Sequence, residues 1–535
     1  MKVFVYDTTL RDGAQQEGIN LSVADKVALL PLIEAMGADY VEGGWPGAIP
    51  RDTEFFDRIK GTDALKTAQL VAFGSTCKAG IRADADEQVA ALLASGAPVI
   101  TLVAKSDIRH VEQALRTTGD ENLRMVRDTV EYLRAQGREV MVDAEHFFDG
   151  FRFDPEYTTS VVAEAYKAGA TWVIPCDTNG GSLPTDITAI LTDLKDRLAS
   201  GYGLGEVNLG IHCHDDGGCA VANTIAGVNA GARQIQGTIN GYGERTGNAN
   251  LITCVANLAL KTDYQVAEAA ELADLASVSY AVSEITNITP ATRAPYVGVS
   301  AFAHKAGLHA SAIRVDPNLY QHIDPVLVGN DMRMIVSDMA GRASVELKAR
   351  EFGVDLAGNK AALAEITNRV KAAEAAGYTY DAADASFELL AREVVDGERM
   401  SYFDVESWRA NVTTVANEPG KTASEASVKL FAGGKRIMRL GEGVGPVDAL
   451  DQALRSALRK VYPELSEFEL IDFKVRILDS NAGTGATTRV LITLKDSEGA
   501  WTTVGVGQDV IEASWEALTD GYVYGLFRSG VAAKK

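Results

Sequence analysis

The sequence predicts an α/β chain that opens as a closed (β/α)8 barrel and continues through a helical connector into an α+β domain of two βββα units. Three observations predict it. Eight β-rich runs precede residue 265, each followed by a helical stretch; Ala, Glu and Lys dominate the segments from 266 to 400; and three β-rich runs followed by a helix occur twice between 401 and 535. Parallel strands require long crossovers, usually helices, so strand and helix in alternation mark parallel βαβ units.

The eight runs are Val3–Asp7, Asp39–Gly43, Leu70–Gly74, Pro98–Ala104, Glu139–Glu145, Trp172–Asp177, Asn208–His214 and Gln234–Asn240. Between them, Ser22 with Asp25 has the spacing of an N-terminal capping pair, and Gly37 and Gly169 stand where helices should stop. Eight units over residues 1–265 match the roughly 250 residues of a closed barrel. An open doubly wound sheet shows the same alternation and differs in connection order. In the connector, Gln265–Val282 and Asn359–Ala376 read as helices. The first βββα unit is Phe403–Val415, Ala426–Phe431, Arg436–Leu440 and the helix Val447–Val461. The second is Phe468–Asp479, Thr487–Leu494, Trp501–Val506 and the helix Val510–Phe527. The expected domains are 1–265, 266–400 and 401–535, with a frayed end at 532–535.

Composition narrows the function classes. A chain of 535 residues holds roughly three or four packed units. With 46% hydrophobic and 23% charged residues it has the balance of a soluble globular protein, and no uncharged run approaches a membrane span. A net charge of -22 repels phosphate backbones and anionic lipid, so neither nucleic acid nor a membrane is an expected partner. Five scattered cysteines form no C-x-x-C pair, and the chain passes from Met1-Lys2 straight into Val3–Tyr6 without a leader pattern. A reducing, cytoplasmic location is expected.

The sharpest local feature is Gly210-Ile211-His212-Cys213-His214-Asp215. Side chains alternate faces along a strand, so His212 and His214 point the same way and can share one cation. Alone, the pair reads equally as two hydrogen-bonded histidines at a strand end. The first strand runs into Asp7-Thr8-Thr9-Leu10-Arg11-Asp12-Gly13, where Asp12 is a candidate third ligand, although Arg11-Asp12 by itself also reads as a surface ion pair. The turn Gly241–Asn248 is not a dinucleotide fingerprint, because its third glycine falls one residue late. Gly420-Lys421-Thr422 is not a phosphate loop, because Val415 stands where the first glycine belongs. Active groups of a barrel collect at the carboxyl ends of its strands. Asp7, Arg11, Asp12, Glu42, Glu145, Asp177, Thr178, His212, His214 and Asn248 all follow strand ends. The glycine-rich turns Gly441–Gly445 and Ser480–Gly485 can offer backbone NH groups to a carboxylate, or serve as plain tight turns.

These residues carry a resemblance. Asp-x-x-Leu-Arg-Asp-Gly at 7–13, His-x-His at 212–214 and Gly-Glu-Arg-x-Gly-Asn at 243–248 resemble the metal-dependent family of 2-isopropylmalate, homocitrate and citramalate synthases. The βββα repeat resembles that family's regulatory domain, so the likeness spans essentially the whole chain. Within the family, Glu42–Gly47 and Phe302–His309 are most similar to the longer bacterial citramalate synthases. The resemblance implies a Claisen-type condensation of acetyl-CoA, as co-substrate, with a 2-oxo acid, followed by thioester hydrolysis. It implies a divalent metal ion (Zn, Mn or Mg) held by Asp12, His212 and His214, with Asn248 in or next to its shell. Such an ion acts as a Lewis acid on a chelating 2-oxo acid.

Further roles follow from the same likeness. Arg11 would stabilise the developing oxyanion and contact substrate, as would Thr178. His309 would be the base, assisted by Tyr320 and oriented with Glu145, with His304 as the competing residue. The connector of one subunit would cover the barrel of another, which makes a homodimer. Trp45, near the mouth of the second strand, reads equally as a wall that narrows the pocket to pyruvate and as a packing residue. An amino-acid effector, isoleucine with leucine as rival, would bind the terminal domain of an enzyme in the isoleucine branch. The alternatives are 2-isopropylmalate synthesis from 2-oxoisovalerate, a metal-dependent aldolase or lyase independent of CoA, and an inactive amino-acid sensor.

Overall fold

The computed structural model describes residues 1–337, 339, 341–356, 358–414, 422–478, 483 and 485–534. They form two compact units, Met1–Phe302 with Ile323–Asp331, and Ala303–His322 with Met332–Lys535.

In the first unit eight strands close into a parallel barrel, in chain order, with β8 paired to β1. The strands are β1 (Phe4–Asp7), β2 (Tyr40–Gly44), β3 (Gln69–Ser75), β4 (Val99–Lys105), β5 (Glu139–Glu145), β6 (Trp172–Asp177), β7 (Gly210–Cys213) and β8 (Gln234–Gly237). The helices after them are α1 (Val23–Ala35), α2 (Pro50–Ile59), α3 (Glu87–Ala94), α4 (Gly119–Ala135), α5 (Pro155–Lys167), α6 (Pro184–Tyr202), α7 (Ala220–Asn229) and α8 (Leu251–Lys261). The expected barrel is thus observed, and sequential closure excludes the open sheet.

Strands covered on both faces become nearly continuous apolar runs. Inward, Tyr6, Tyr40, Val71, Val99, Met141, Trp172 and Ile174 fill the barrel. Outward, Val5, Val41, Ile100, Val142, Val173, Ile211 and Ile235 meet the helices. Ser22 caps α1 as its spacing predicts: its hydroxyl accepts from Asp25 N, and its own N donates to the Asp25 carboxylate. Gly37 and Gly169 adopt φ values of 87° and 102°, which only glycine takes without strain.

Two strands of the barrel end earlier than expected. The seventh strand ends at Cys213, and His214 instead forms an isolated bridge with Asn248. The eighth ends at Gly237, because Asn240 turns left-handed at φ 61° and leaves the ladder.

The second unit opens with β9 (Ala303–His304) and β10 (Arg333–Met334), a two-residue parallel pair in a region where no strand was expected. Helices α9 (Gly307–Ile313), α10 (Arg342–Glu351), α11 (Lys360–Ala375) and α12 (Asp384–Asp396) follow, the last three around Val345, Ile366 and Phe387. Two antiparallel sheets come next, each closed by a helix. They are β11 (Asp404–Thr414), β12 (Thr422–Ala432) and β13 (Lys435–Gly443) with α13 (Pro446–Leu458), then β14 (Glu469–Ile477), β15 (Thr488–Asp496) and β16 (Gly499–Gly507) with α14 (Val510–Arg528). Both sheets share one core, including Val428, Leu454, Ile492 and Leu518.

The turn at Gly441–Gly445 serves close packing. A Cβ on Gly441 or Gly443 would collide with the α13 backbone at Ala449 and Ala453, and the Asp448 carboxylate already accepts from Val444 N at 2.9 Å. Most of the Ser480–Gly485 turn, together with Val415, Gly420, Lys421 and Asp479, lies outside the described residues. Among the described residues no helix is long and apolar enough to cross a membrane.

Candidate active site

The site is built at the carboxyl ends of the barrel strands. As β1 ends, the Asp7 carboxylate accepts from Thr9 N at 2.9 Å and from Thr9 Oγ1 at 2.7 Å, which turns the chain so that Arg11 and Asp12 line the mouth. Asp7 is spent on this turn, and burial pushes it up to about 7. Asp12 Oδ2 lies 3.6 Å from His212 Nε2 and 4.0 Å from His214 Nε2. One ligand atom from each of the three falls within 4.8 Å of the others, and all three residues are buried. Burial acts to raise Asp12, but the charge on the adjacent Arg11 opposes it, and the carboxylate is held below its usual range. Burial lowers both histidines, His214 to about 4, so both imidazoles are neutral and able to act as ligands.

This donor set fits a divalent cation. Asn248 donates its Nδ2 to Tyr242 O at 3.0 Å, while its Oδ1 is buried with no partner, and such an orphan calls for an electropositive neighbour. One contact opposes binding: Arg245 Nη2 lies 3.0 Å from His214 Nδ1. Arginine only donates, so this contact places the His214 proton on Nε2. For His214 to serve as a ligand through Nε2, that proton would have to move to Nδ1, where it would oppose the guanidinium.

Arg11 is clamped from two sides. Its Nε donates to Glu42 Oε1 at 2.5 Å, and its guanidinium carbon stacks 3.8 Å above the Phe73 ring. Tyr6 holds the other Glu42 oxygen at 2.6 Å. Burial works against the charge on Arg11, but Glu42 and Asp12 more than offset it and keep the guanidinium protonated. Above this clamp lies a cavity of about 550 Å3, whose walls include Trp45, Phe73, Lys105, Asp143, Glu145 and Thr178. Trp45 meets Phe73 edge-on at 5.2 Å. Glu145 pairs with Lys105. Thr178 Oγ1 accepts from His146 N at 2.8 Å, which leaves its own proton for another acceptor. Asp177 does not line the cavity; its carboxylate accepts from Ser182 N and Oγ.

The remaining residues lie in the second unit. His309, on α9, stacks on Tyr320 with ring centroids 4.0 Å apart, and His304 lies 5.9 Å from His309. His304 Nε2 is buried without a partner, and burial with the neighbouring His309 lowers its pKa.

Sequence reasoning missed Phe73, Lys105, Asp143 and Gln236, and gave Arg245 no role although it lies within the 243–248 motif. Lys105 and Asp143 sit on strands already identified, and position at a strand end was the available signal. Gln234 and Gln236 carried another: two amides on one face of a barrel strand need partners inside.

The family model described as HMGL-like matches residues 2–282, that of the homocitrate synthase post-HMGL domain matches 296–377, and that of the LeuA allosteric (dimerisation) domain matches 381–526. The chain is 60% identical to an (R)-citramalate synthase of Streptomyces coelicolor over 99% of its own length and 97% of the relative's. It is 46% identical to one of Synechocystis over 98% and 96%. Against a probable 2-isopropylmalate synthase of Methanopyrus kandleri, identity is 32% over 97% of each chain.

Proposed function

We propose a reaction scheme for a chain that belongs to the (R)-citramalate synthase family, an acyltransferase built on an HMGL-like barrel: the acetyl group of acetyl-CoA adds to pyruvate, and hydrolysis of the thioester yields (R)-citramalate and free CoA. The observation that carries it is the convergence of Asp12, His212 and His214 beside the clamped Arg11. A divalent cation, Zn, Mn or Mg, held by these three with Asn248, supplies a Lewis acid for the ketone and carboxylate oxygens of the 2-oxo acid.

The chain's own groups do the rest. Arg11 faces the negative charge that builds on the ketone oxygen as the carbon–carbon bond forms, and its fixed position means that little reorganisation is needed. Thr178 donates its free proton to the substrate carboxylate. His309 takes a proton from the acetyl methyl group, Tyr320 holds its ring, and Glu145 orients the exchange. Trp45 and Phe73 narrow the cavity toward the small methyl group of pyruvate.

In this reading the connector of one subunit covers the barrel of the other in a homodimer. Exposed apolar side chains on the terminal sheets, Leu440 and Ile477 among them, and the match to a dimerisation domain support it. Isoleucine acts on that domain as effector in a pathway leading to isoleucine. A cytoplasmic location accords with five unpaired cysteines.

The test is metal-dependent CoA release from acetyl-CoA with a panel of 2-oxo acids. Pyruvate is expected to give the highest kcat/KM, and a chelator is expected to abolish turnover. Higher efficiency with 2-oxoisovalerate would turn the assignment to 2-isopropylmalate synthesis. Cleavage of a hydroxy-oxo acid without CoA would turn it to a lyase. Removal of residues from about 400 onward should abolish inhibition by isoleucine; retained inhibition would place the effector elsewhere.

A further inference from the structure

The barrel interior holds a chain of polar side chains that none of the roles above uses. Gln234 and Gln236 on β8 and Asp143 on β5 are buried, and each is within reach of the next. Primary amides are costly inside an apolar barrel unless their atoms are paired, so the pairing defines their purpose. Gln236 Nε2 donates to Asp143 Oδ1 at 3.1 Å and lies 3.4 Å from Gln234 Oε1. Gln234 Nε2 is itself turned toward the Met141 sulfur, which leaves its carbonyl facing Gln236. Reversing the Gln236 amide would set its carbonyl oxygen against that of Gln234, so the Gln234 carbonyl favours the observed direction; burial pushes Asp143 up to about 8, so its carboxyl can donate as well as accept. The carbonyl left over, Oε1, lies 3.1 Å from His212 Nδ1. A carbonyl only accepts, so Nδ1 carries the hydrogen and the Nε2 lone pair is free on the side of Asp12.

His214 has the opposite partner. Its Nδ1 faces the Arg245 guanidinium, which only donates. One imidazole is therefore held ready as an Nε2 ligand, and the other has to exchange its proton between nitrogens.

We infer that Gln236 is a positioning residue that presets His212 in the ligand tautomer, with the Gln234 carbonyl setting the direction of its amide. The inference rests on the reading of Asp12, His212 and His214 as the cation site. It adds an order of engagement: His212 is the anchoring ligand and His214 the exchanging one.

Two measurements on the full-length enzyme test it. The first is the 15N spectrum of the histidine side chains before metal is added, which reports the tautomer directly. His212 is expected to show Nδ1–H and His214 Nε2–H, and a His212 ring protonated at Nε2 would overturn the inference. The second is the affinity for Zn and Mn by chelator competition. Gln236→Leu removes the acceptor and should weaken both by about 10–100-fold, the usual scale for partners behind a ligand. Wild-type affinity in Gln236→Leu with unchanged His212 nitrogen shifts would overturn the inference. If the wild type bound neither metal, the cation-site reading would fail, and the 15N spectrum would still decide the tautomer. Should Gln236→Leu fail to fold, the wild-type spectrum carries the test alone.

Discussion

Lys105, the last residue of β4, stands in register with Glu145, the last residue of β5, and the two pair at the cavity wall. Each is 25% exposed, so the pair adds little to stability, about 1 kcal/mol at most. Its consequence is for the site. Lys105→Met leaves Glu145 without its ammonium partner and is expected to lower kcat by about tenfold or more while Tm moves little. Steady-state kinetics beside a thermal melt checks this; a large fall in Tm with kcat intact would reverse the assignment.

Glu42 has no exposed side-chain area and holds Arg11 from behind. Glu42→Ala strands a buried guanidinium, and loss of one partner of a buried pair costs about 3–5 kcal/mol. Asp12 still lies 3.4 Å from Arg11, so the low end is expected, together with loss of turnover. Denaturant unfolding and the CoA-release assay measure both, and a stable, active variant would remove Arg11 from its assigned role.

Trp45 packs edge-on against Phe73, the ring beneath Arg11. Trp45→Ala widens that wall and is expected to raise the efficiency of 2-oxoisovalerate relative to pyruvate by about 10-fold or more, since each methylene of fit is worth about 10–200-fold. The ratio of kcat/KM for the two acids is the readout. An unchanged ratio would place the selectivity elsewhere in the cavity.

His309→Ala should lower kcat by about 10²-fold or more, the scale of general base catalysis, with metal affinity intact. Stacking on Tyr320 gives His309 an ordered ring. The same loss from His304→Ala alone, with His309→Ala active, would move the base to His304, whose buried Nε2 lacks a partner.

The barrel is legible in the sequence because strands covered on both faces leave long apolar runs, as in Val99-Ile100-Thr101-Leu102-Val103-Ala104. The ends of β7 and β8 are less so. His214 and Asn240 continue the local alternation, and only the bridge to Asn248 and a left-handed φ remove them from the ladder. The histidine pair is legible because i and i+2 share a face within a single segment. Gln236 and Lys105 act across strands, on His212 and Glu145, and strand register is a tertiary fact without a local signature. The Gly441 turn shows the same limit: its glycines answer to a helix that comes later in the chain.

Closure of β8 onto β1 has a further consequence for the life of the polypeptide. Asp12 follows the first strand, His212 lies on the seventh and His214 just beyond its end, so on a nascent chain still lacking β8 they would sit at opposite margins of an unsealed sheet. Only the last strand docking against the first brings them together. If these residues hold a cation as proposed, its capture would wait until synthesis has passed both β8 and Asn248, and a shorter ribosome-bound fragment would offer the cell's ions no finished trap.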